Sequence, residues 1–588
     1  MSGRRIPALV ALVAAVTVSA TGTALAHGEH GHGKHGFRTA QPSMLDPVKP
    51  GTAVTPLMTV GDVLRSGYRF ESIPDGISVR NRGWGRVDLF VNHETGKVPF
   101  PYVTAAPTAA NGENDFDNAQ VSRLRLSRHS AGVLGGSFAI PSRFGYQRFC
   151  SNYLATWREG FSRDIFFTNE ETPDYVFRRE DSWPPPIGDP REREAGVVVA
   201  LDVRNGKHHP IYGMGRHNHE NSVAIPGYGK PVVLSGDDTF TSGPLTGVAS
   251  TPNVPSQSQL YSYIARGTDS LLADRGDLWA FVSDTPGVTS YYDVIPGSGQ
   301  TVTGHFIKVP KDIATGRKPD GSELKAADKG YPPPPANGSW QTDLRSTIPV
   351  GIDGPQWVLQ HWSDLNHVFQ FVRVEDIAYD KRPGKGNVVY IADSGRGRTA
   401  AQSLDTPNFR STNGRVWKMV LDRHDPTKVT SLTVFVEGDD NPVKTPGEIH
   451  QPDNLESTRN GVLVTEDPGS SQQFPVGSPD PAATTARLWW VPVGNPAGAE
   501  VAARVNQSAD GGPTDVDGRP PGNQGAWEST GIVDASHAFG RDAFLINIQA
   551  HTLWIEKAPG DDNNGDGQPD FTYKREGGQL LLIRIPGG

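Results

Sequence analysis

The chain has 588 residues, a formal net charge of -9 and 36% hydrophobic residues, and it contains 67 Gly and 49 Pro. This density of turn-forming residues excludes a helical bundle or a coiled coil, while 12 Trp, 15 Tyr and 23 Phe exclude collagen and a disordered tract. The acidic balance indicates no basic face, so no nucleic-acid partner is expected, and the single Cys excludes an intrachain disulfide. These properties favour a turn-rich β protein.

Residues 1–26 have the pattern of a secretory signal peptide. Arg4 and Arg5 precede an apolar stretch from Ile6 to about Val18, and small residues follow up to Ala26. We therefore expect an exported protein, extracellular or periplasmic, and the two Arg leave both general secretion and the twin-arginine route open. No later segment has about 18 consecutive apolar residues, so no membrane span is expected.

Residues 27–58 are predicted to form a flexible, His-rich leader. His27, His30, His32 and His35 are separated by Gly and charged residues. Imidazoles on such a chain can capture transition metals, but we expect no catalytic role for them.

Six short strands that end in polar, mostly acidic clusters recur along the rest of the chain. They occupy residues 89–94, 165–171, 232–238, 388–394, 462–467 and 544–551. A second set of alternating apolar and polar strands begins at Gln120, Gly196, Ser258, Gly414, Ala486 and Gln579. Repeated strand sets favour propeller blades over a sandwich. The sequence therefore predicts an all-β fold, a six-bladed β-propeller over residues 59–588, with the acidic strands innermost.

The longest interval between repeats contains a predicted insertion, residues 267–346. It includes the strand DLWAFVS and ends near a stiff run, Pro332–Pro335. A segment of this length inside a compact domain is typical of a lid, a subdomain or a linker.

Acidic residues at the ends of several inner strands would meet at one face of a propeller. Such crowding is unfavourable unless cations or protons neutralise it. Oxygen ligands suit Ca²⁺, Mg²⁺ or ferric iron rather than structural zinc. The candidate ligands are Glu94, Glu170, Glu171, Glu220, Glu375, Asp376, Asp453, Glu466 and Asp467.

A separate calcium signal lies at residues 561–570. Asp562, Asn564, Asp566 and Asp570 occupy positions 1, 3, 5 and 9 of an EF-hand-like loop, with Gly567 at position 6. Position 12 is Tyr573 instead of Glu. We interpret the segment as a calcium-binding insertion between two strands of the last blade, with a plain polar hairpin as the alternative.

Several motifs together resemble the PhoX-type alkaline phosphatase family of secreted bacterial proteins. The motifs are FVNHETG near Asn92, FTNEE ending at Glu171, GMGRHNHE ending at Glu220, the VED of Glu375, QPDNLES from Gln451, and AFLINIQAH ending at His551. The resemblance spans residues 59–586. It implies a six-bladed propeller with a calcium-dependent, iron-containing phosphomonoesterase site, often exported by the twin-arginine route.

By that resemblance, Glu170 or Glu171, Glu220 and Glu375 are ligands of a metal cluster, with Asp453 and Asn454 close by. Arg216 and Arg396 or Arg398 are candidates to bind the phosphate of a small ester, and Arg216 and Glu220 are the expected catalytic residues. The family pattern has a bridging Cys where this chain has Asn169, and Cys150 is not expected to replace it.

Three functions remain open on the sequence. The first is a secreted, monomeric, metal-dependent phosphomonoesterase that uses Ca²⁺ and, despite Asn169, Fe³⁺. The second is a non-catalytic, calcium-stabilised propeller that binds an extracellular ligand. The third is a calcium-only hydrolase similar to phytases or lactonases, in which water is the nucleophile. Metal content and a phosphatase assay separate the three.

Overall fold

The computed structural model describes residues 36–95, 118–172, 175–176, 193–239, 258–295, 297–334, 353–395, 413–438, 447–467, 485–507, 527–559 and 571–588. The predicted signal peptide, the four leader His residues, Arg396, Arg398 and the predicted calcium ligands from Asp562 to Asp570 lie outside these ranges.

Two strands lie in the segment predicted to be a flexible leader. They are β1 (Leu45–Pro47) and β2 (Ala53–Thr59). Leu45 pairs with Val505 and Ala53 pairs with Arg584, so both strands extend sheets built by the C-terminal part of the chain. The prediction of a flexible leader up to residue 58 is therefore wrong for these strands, because their backbone groups are held in sheet ladders.

The next strands form two antiparallel sheets. The first has the order β3-β4-β5-β6, and the second has the order β7-β8-β11-β12, while β9 and β10 pair separately. The strands are β3 (Pro74–Gly83), β4 (Arg86–His93), β5 (Gln120–Ser127), β6 (Val133–Ile140), β7 (Phe149–Ala155), β8 (Ile165–Glu170), β9 (Tyr175–Val176), β10 (Arg193–Glu194), β11 (Val198–Asp202) and β12 (Lys207–Ile211).

A nine-stranded sheet follows, in which two runs of four strands are joined through one shared neighbour. Its strands are β13 (His219–Ala224), β14 (Val232–Asp237), β15 (Leu260–Ile264), β16 (Asp277–Ser283), β17 (Val302–Lys308), β18 (Val374–Tyr379), β19 (Val388–Asp393), β20 (Arg415–Leu421) and β21 (Lys428–Glu437). The runs β13 to β16 and β18 to β21 meet at β17, which pairs with both β16 and β21.

This sheet corrects the predicted boundaries of the 267–346 insertion. The strand DLWAFVS is β16, the fourth strand of its run, and so belongs to the body of the fold. Short helices surround it: α1 (Thr268–Leu272), α2 (Lys311–Thr315), α3 (Ala326–Lys329) and α4 (Pro355–Leu365). Ile313 of α2 and Val358 of α4 are buried in the same apolar cluster as Leu278 of β16.

Two further sheets complete the described fold. The first has the order β1-β25-β24-β23-β22 and the second β2-β28-β27-β26. Their elements are β22 (Pro452–Ser457), β23 (Gly461–Glu466), β24 (Arg487–Pro492), β25 (Glu500–Val505), β26 (Glu528–Asp534), α5 (Ser536–Phe539), β27 (Ala543–Pro559) and β28 (Phe571–Arg584). Because Pro559 pairs with Phe571, residues 560–570 connect two paired strands.

The runs of antiparallel strands are arranged like the blades of a propeller. Their first strands are β3, β7, β13, β18, β22 and β26, and each contacts the next in chain order, while β26 also contacts β3. We call them the innermost strands. The apolar core lies between the faces of neighbouring sets; for example, the rings of Phe90 and Phe166 are 5.0 Å apart. The fold is therefore all-β and propeller-like.

The acidic strands predicted to be innermost are instead the second strands of their sets. They are β4, β8, β14, β19, β23 and β27, and the predicted partner strands are the third in each set. The innermost strands were not recognised because several of them, such as HENSVA and PDNLES, bury polar residues on both faces. None of the helices in the described residues is long and apolar enough to cross a membrane.

Candidate metal centre

Every innermost strand has a β-bulge within a few residues of its start. A bulge changes the direction of the side chains that it contains. In five strands the first bulged residue carries a metal-ligating group. These residues are Asp75, Cys150, Glu220, Glu375 and Asp453. Because the five strands are neighbours around the axis, their bulges bring these side chains to one end of the channel.

Three overlapping groups of potential ligands result. Asp75, Glu94 and Cys150 form the first, Cys150, Glu171 and Glu220 the second, and Glu220, Glu375 and Asp453 the third. Within each group, one ligand atom from each residue lies within 4.8 Å of the others. We call these seven residues the carboxylate–thiol cluster. All of them are buried, with exposed fractions between 0% and 9%.

A second ring of acids lies beside the first, at the ends of the second strands. Glu94, Glu171, Asp238 and Asp467 each follow directly after the last paired residue of such a strand. The repeated position explains why the sequence shows acidic strand ends in most of the sets. Two members of this ring, Glu94 and Glu171, are close enough to the bulged residues to share a ligand group with them.

Hydroxyl and thiol groups orient the cluster. The Cys150 thiol donates to Asp75 Oδ2 at 2.7 Å, and Thr530 donates to the other oxygen of Asp75. Ser151 Oγ donates to Glu220 Oε1 at 2.6 Å, and Ser394 Oγ donates to Glu375 Oε1 at 2.6 Å. Each donor engages one oxygen, so the carboxylates keep a fixed direction.

Burial and mutual repulsion raise the pKa values of five acids of the cluster, Asp75, Glu171, Glu220, Glu375 and Asp453. The pKa of Glu220 is well above its usual value because the group is desolvated and faces Glu375 and Glu171. The pKa of Asp453 rises for the same reasons, and that of Asp75 rises to about 7. Burial also raises the pKa of the Cys150 thiol. A cation bound among these groups would favour their ionised forms and so oppose the upward shifts.

Two guanidinium groups border the cluster. Arg148 Nη2 donates to Glu94 Oε1 at 3.1 Å, and the Arg148 side chain is 38% exposed. Arg373 binds Asp238 with two hydrogen bonds of 2.9 and 2.8 Å and lies 3.0 Å from Glu375. The cluster therefore contains more carboxylates than these two guanidinium groups can balance.

The donor set fits a metal centre. Glu220 Oε2 is buried and has no hydrogen-bond partner, which is costly for a carboxylate oxygen unless a further ligand is present. Carboxylate oxygens suit hard cations such as Ca²⁺, whereas a thiolate suits softer metals. The buried groups could therefore hold a metal ion, and the donor set does not single out one metal.

The structure brings some of the predicted ligands together and places others elsewhere. Glu171, Glu220, Glu375 and Asp453 lie in the cluster. Glu170 does not: its two oxygens accept backbone N–H groups of Gln147 and Val197. The structure therefore does not bring Glu170 into the cluster.

Asp376 is the second residue of its bulge and is directed away from the cluster. It accepts hydrogen bonds from Asn221 and from the backbone N–H of Leu455, at 2.9 Å for the latter. Its carboxylate therefore connects neighbouring innermost strands. Glu466, another predicted ligand, accepts hydrogen bonds from Arg487 and the backbone of His450 and so supports its own sheet.

Arg216 is not placed to bind a substrate at the cluster. It is 1% exposed, and its Nη2 donates to the backbone carbonyls of Glu194 and Ala195. The backbone contacts hold the guanidinium in the interior, so the structure does not place Arg216 in the predicted catalytic and phosphate-binding position. His219 likewise uses both ring nitrogens, on Ser235 and Gly215.

Asp75 and Cys150 are the two cluster residues that were not predicted from the sequence. Asn169, expected at the position of a bridging Cys, instead donates to the backbone carbonyls of Ser151 and Glu220 at 3.0 and 3.2 Å. It thereby holds the two bulges that carry Cys150 and Glu220. The sequence does contain a signal for these ligands. In five of the six innermost strands the ligating group is the second residue, as Cys150 is in the strand that begins at Phe149.

Comparisons with known proteins give no function. No protein-family model matches the chain, and no curated protein matches it. Among solved structures, the chain is similar to a protein of unknown function from Dyadobacter fermentans DSM 18053, with 14% identity, a TM-score of 0.34, and coverage of 91% of this chain and 100% of that one. It is also similar to a mutant of the NanB sialidase from Streptococcus pneumoniae, with 8% identity, a TM-score of 0.35, and coverage of 88% of this chain and 70% of that one.

A third similar structure is the Trypanosoma rangeli sialidase, with 9% identity, a TM-score of 0.29, and coverage of 92% of this chain and 60% of that one. At these scores the three similarities carry no functional assignment.

Proposed function

We propose that the protein is a six-bladed β-propeller whose carboxylate–thiol cluster is the metal centre of a secreted phosphomonoesterase. The cyclic contacts of the six innermost strands support the blade number. Export rests on the signal pattern of residues 1–26, and the resemblance to the PhoX-type phosphatases supports the reaction. The observation that carries the proposal is the convergence of buried carboxylates and one thiol from five bulges.

The metal would be held by Asp75, Cys150, Glu171, Glu220, Glu375 and Asp453. When bound, a cation of this type supplies a Lewis acid for phosphoryl oxygens and lowers the pKa of bound water. The carboxylates hold the cation and do not attack the substrate.

The guanidinium groups beside the cluster supply the phosphate contacts in this proposal. Arg148 is the more exposed of the two, and its fork of N–H donors matches a phosphate ester. Arg373 is anchored by Asp238 and restrains Glu375. Arg148 therefore replaces Arg216 as the candidate substrate-binding residue, and Arg373 positions a ligand of the metal.

A non-catalytic, calcium-stabilised propeller is the second candidate. The observation in its favour is that both guanidinium groups already contact carboxylates, Arg148 through Glu94 and Arg373 through Asp238. A phosphate would have to compete with these ion pairs. A calcium-only hydrolase is the remaining alternative, and it would use the oxygen ligands without the Cys150 thiol.

Elemental analysis and turnover separate these functions. We would measure Fe and Ca in the purified protein and follow hydrolysis of a chromogenic aryl phosphate before chelation, after chelation and after each metal is restored. Iron with metal-dependent turnover supports the phosphomonoesterase, and calcium alone with turnover supports the calcium-only hydrolase. Bound calcium without turnover supports the binding protein, and the absence of both bound metals contradicts the metal centre.

A further inference from the structure

A fully exposed tryptophan occupies the turn between β3 and β4. β3 carries Asp75 near its start, at the cluster, and ends at Gly83, so this turn lies at the opposite end of the channel. Trp84 is 99% exposed and has a φ of 52°, in the left-handed region that bulky side chains rarely adopt. A Gly or an Asn would form the same turn with less strain. The indole therefore serves neither the core nor the turn, and it is available to an external partner.

The sheet that carries this turn is basic, although the chain as a whole has a net charge of -9. Its described residues 74–95 and 118–140 contain six Arg and, outside the cluster, one acid, Asp88. The six are Arg80, Arg82, Arg86, Arg123, Arg125 and Arg128. Arg80 is neutralised by Asp164, which precedes the second strand of the next sheet and lies 2.7 Å away. The other five Arg are therefore balanced by one carboxylate only.

The guanidinium groups around Asp88 are accessible from the surface. Asp88 is fully buried, and its Oδ2 accepts hydrogen bonds from Arg123 Nη2 at 2.7 Å and from Arg82 Nη1 at 3.2 Å. Arg125 Nε lies 3.8 Å from Asp88 Oδ1. The three Arg side chains are between 31% and 45% exposed. One carboxylate thus holds three guanidinium groups but balances the charge of only one.

Two further Arg lie close to the turn. Arg86 follows Trp84 by two residues, is exposed, and forms no ion pair with the acids that the structure describes. Arg128 donates its backbone N–H to Gly85 O at 2.9 Å, and its guanidinium donates to two backbone carbonyls of α5. Because carbonyls have no net charge, that guanidinium stays positive. We call the following residues the tryptophan–arginine surface: Trp84, Arg82, Arg86, Arg123, Arg125 and Arg128.

A second exposed tryptophan lies at the same end of the channel. Trp157 is 75% exposed and lies between β7 and β8, the first two strands of the next sheet, as Trp84 lies between β3 and β4. Trp157 and Asn81 of β3 line the same cavity, so the two turns are neighbours. Arg158 lies 5.8 Å from the centre of the Trp157 ring. The pairing of an exposed indole with Arg is therefore repeated in the adjacent sheet.

We propose that the tryptophan–arginine surface binds the anionic phospholipid surface of a membrane. Trp side chains prefer the level of the lipid headgroups, and Arg side chains are attracted by anionic headgroups. A soluble polyanion offers no apolar layer to an indole, so the two exposed tryptophans favour a membrane. The proposal does not rest on the phosphomonoesterase function, because the surface contains no residue of the cluster. A protein bound in this way directs its cluster end away from the lipid.

Co-sedimentation of the full chain with lipid vesicles tests the proposal. One set of vesicles contains phosphatidylcholine alone, and the other contains phosphatidylcholine mixed with anionic phosphatidylglycerol. We expect binding to the mixed vesicles to be at least about tenfold tighter, because several Arg near an anionic surface each add to the attraction. Binding should weaken as the salt concentration rises, since salt screens exposed charges. Equal binding to the two kinds of vesicle, or binding to neither, would overturn the proposal.

Two variants test the two parts of the surface. We expect Trp84→Ala and R82A/R86A each to weaken binding to the mixed vesicles about fivefold or more. At saturating lipid, only Trp84→Ala should reduce the quenching of indole fluorescence by brominated acyl chains. Both variants should keep the melting temperature of the parent protein, because all three side chains are exposed.

Arg423→Ala is the matched control. Arg423 is also exposed, but it lies between β20 and β21, in the run that begins with β18, across the ring of innermost strands from β3. We expect this variant to bind the mixed vesicles like the parent protein. An equal loss in Arg423→Ala, or no loss in the other two variants, would contradict the assigned surface. Binding of inorganic polyphosphate that needs Arg82 and Arg86 but not Trp84, without vesicle binding, would assign the surface to a soluble polyanion instead.

Discussion

The two ends of the channel differ in what surrounds their buried acids. At the cluster end, Glu220, Glu375 and Asp453 face one another, and their pKa values are raised by burial and by their neighbours. At the other end, which we call the cavity end, the later residues of the innermost strands line a cavity of about 1290 Å³, and Glu456 faces the ammonium group of Lys381 there. In our proposal a cation from outside the chain neutralises the first group of acids, whereas Lys381, a residue of the chain itself, neutralises the second.

The difference originates in the backbone of the same strands. Each innermost strand begins with a bulge, which directs polar side chains such as Glu375 into the channel, and continues with regular pairing that presents aliphatic residues such as Ile377. The bulge therefore separates the start of each innermost strand, which carries the ligating group, from the apolar residues that follow. Four experiments test this contrast.

The largest effect is expected for Glu220→Gln. Glu220 belongs to two of the three ligand groups, so its loss disturbs both. We expect phosphomonoester turnover to fall at least about 100-fold, which corresponds to about 2.7 kcal/mol of activation free energy. The measurement is steady-state turnover together with metal content. Glu456→Gln, at the cavity end, is the control and retains turnover; equal losses in both variants would show that the ends are not distinct.

A matched pair in one strand sharpens the contrast. Glu171 lies in the cluster, whereas Glu170 accepts two backbone N–H groups. We expect Glu171→Gln to reduce metal content and turnover about tenfold or more with little loss of fold. Glu170→Gln should instead lower the free energy of unfolding by about 1–3 kcal/mol and leave the metal content intact. The reverse pattern, measured by elemental analysis and denaturant unfolding, would exchange their roles.

The sequence predicted the outer features of this site better than its centre. The second strands were found because strands such as VVLSGDD and VLVTED alternate or accumulate apolar residues before an acidic end. Glu94, Glu171, Glu220, Glu375 and Asp453 were named as ligands, but Asp75 and Cys150 were not. The strand of Cys150, FCSNYLA, has no acidic end, and only the register shift between Phe149 and Asn152 places the thiol beside Asp75.

The contrast also predicts which end responds to chelation. A cation that binds only the folded protein stabilises it by about 2.7 kcal/mol when its free concentration is 100 times its Kd. Removing it would leave Glu220, Glu375 and Asp453 without a counterion, so we expect the melting temperature to fall by a few degrees. Restoring Ca²⁺ or Fe³⁺ should reverse the change. Identical melting curves before and after chelation would refute the assignment of a cation to the cluster.

The smallest effect is expected at the cavity end, for Lys381→Met. The Lys381 ammonium lowers the pKa of Glu456, which burial raises above 4.5, and Lys381 is itself 34% exposed. Without this partner the ionised Glu456 is disfavoured, so we expect a loss of about 1 kcal/mol in the free energy of unfolding at pH 8. Glu456 binds a proton more readily in the folded variant, so the loss should shrink as the pH falls through the raised folded-state pKa.

Lys381 stays charged throughout that range, because its own pKa is raised above 10.5. Urea unfolding at pH 8 and pH 5 measures the change, and Lys428→Met, which alters an exposed Lys outside the cavity, is the matched control. The metal content of Lys381→Met should equal that of the parent protein, because Lys381 neutralises Glu456, which is not a member of the cluster. A pH-independent loss would show that the ion pair with Glu456 does not cause it. A loss of metal would mean that Glu456 belongs to the same electrostatic system as Glu220.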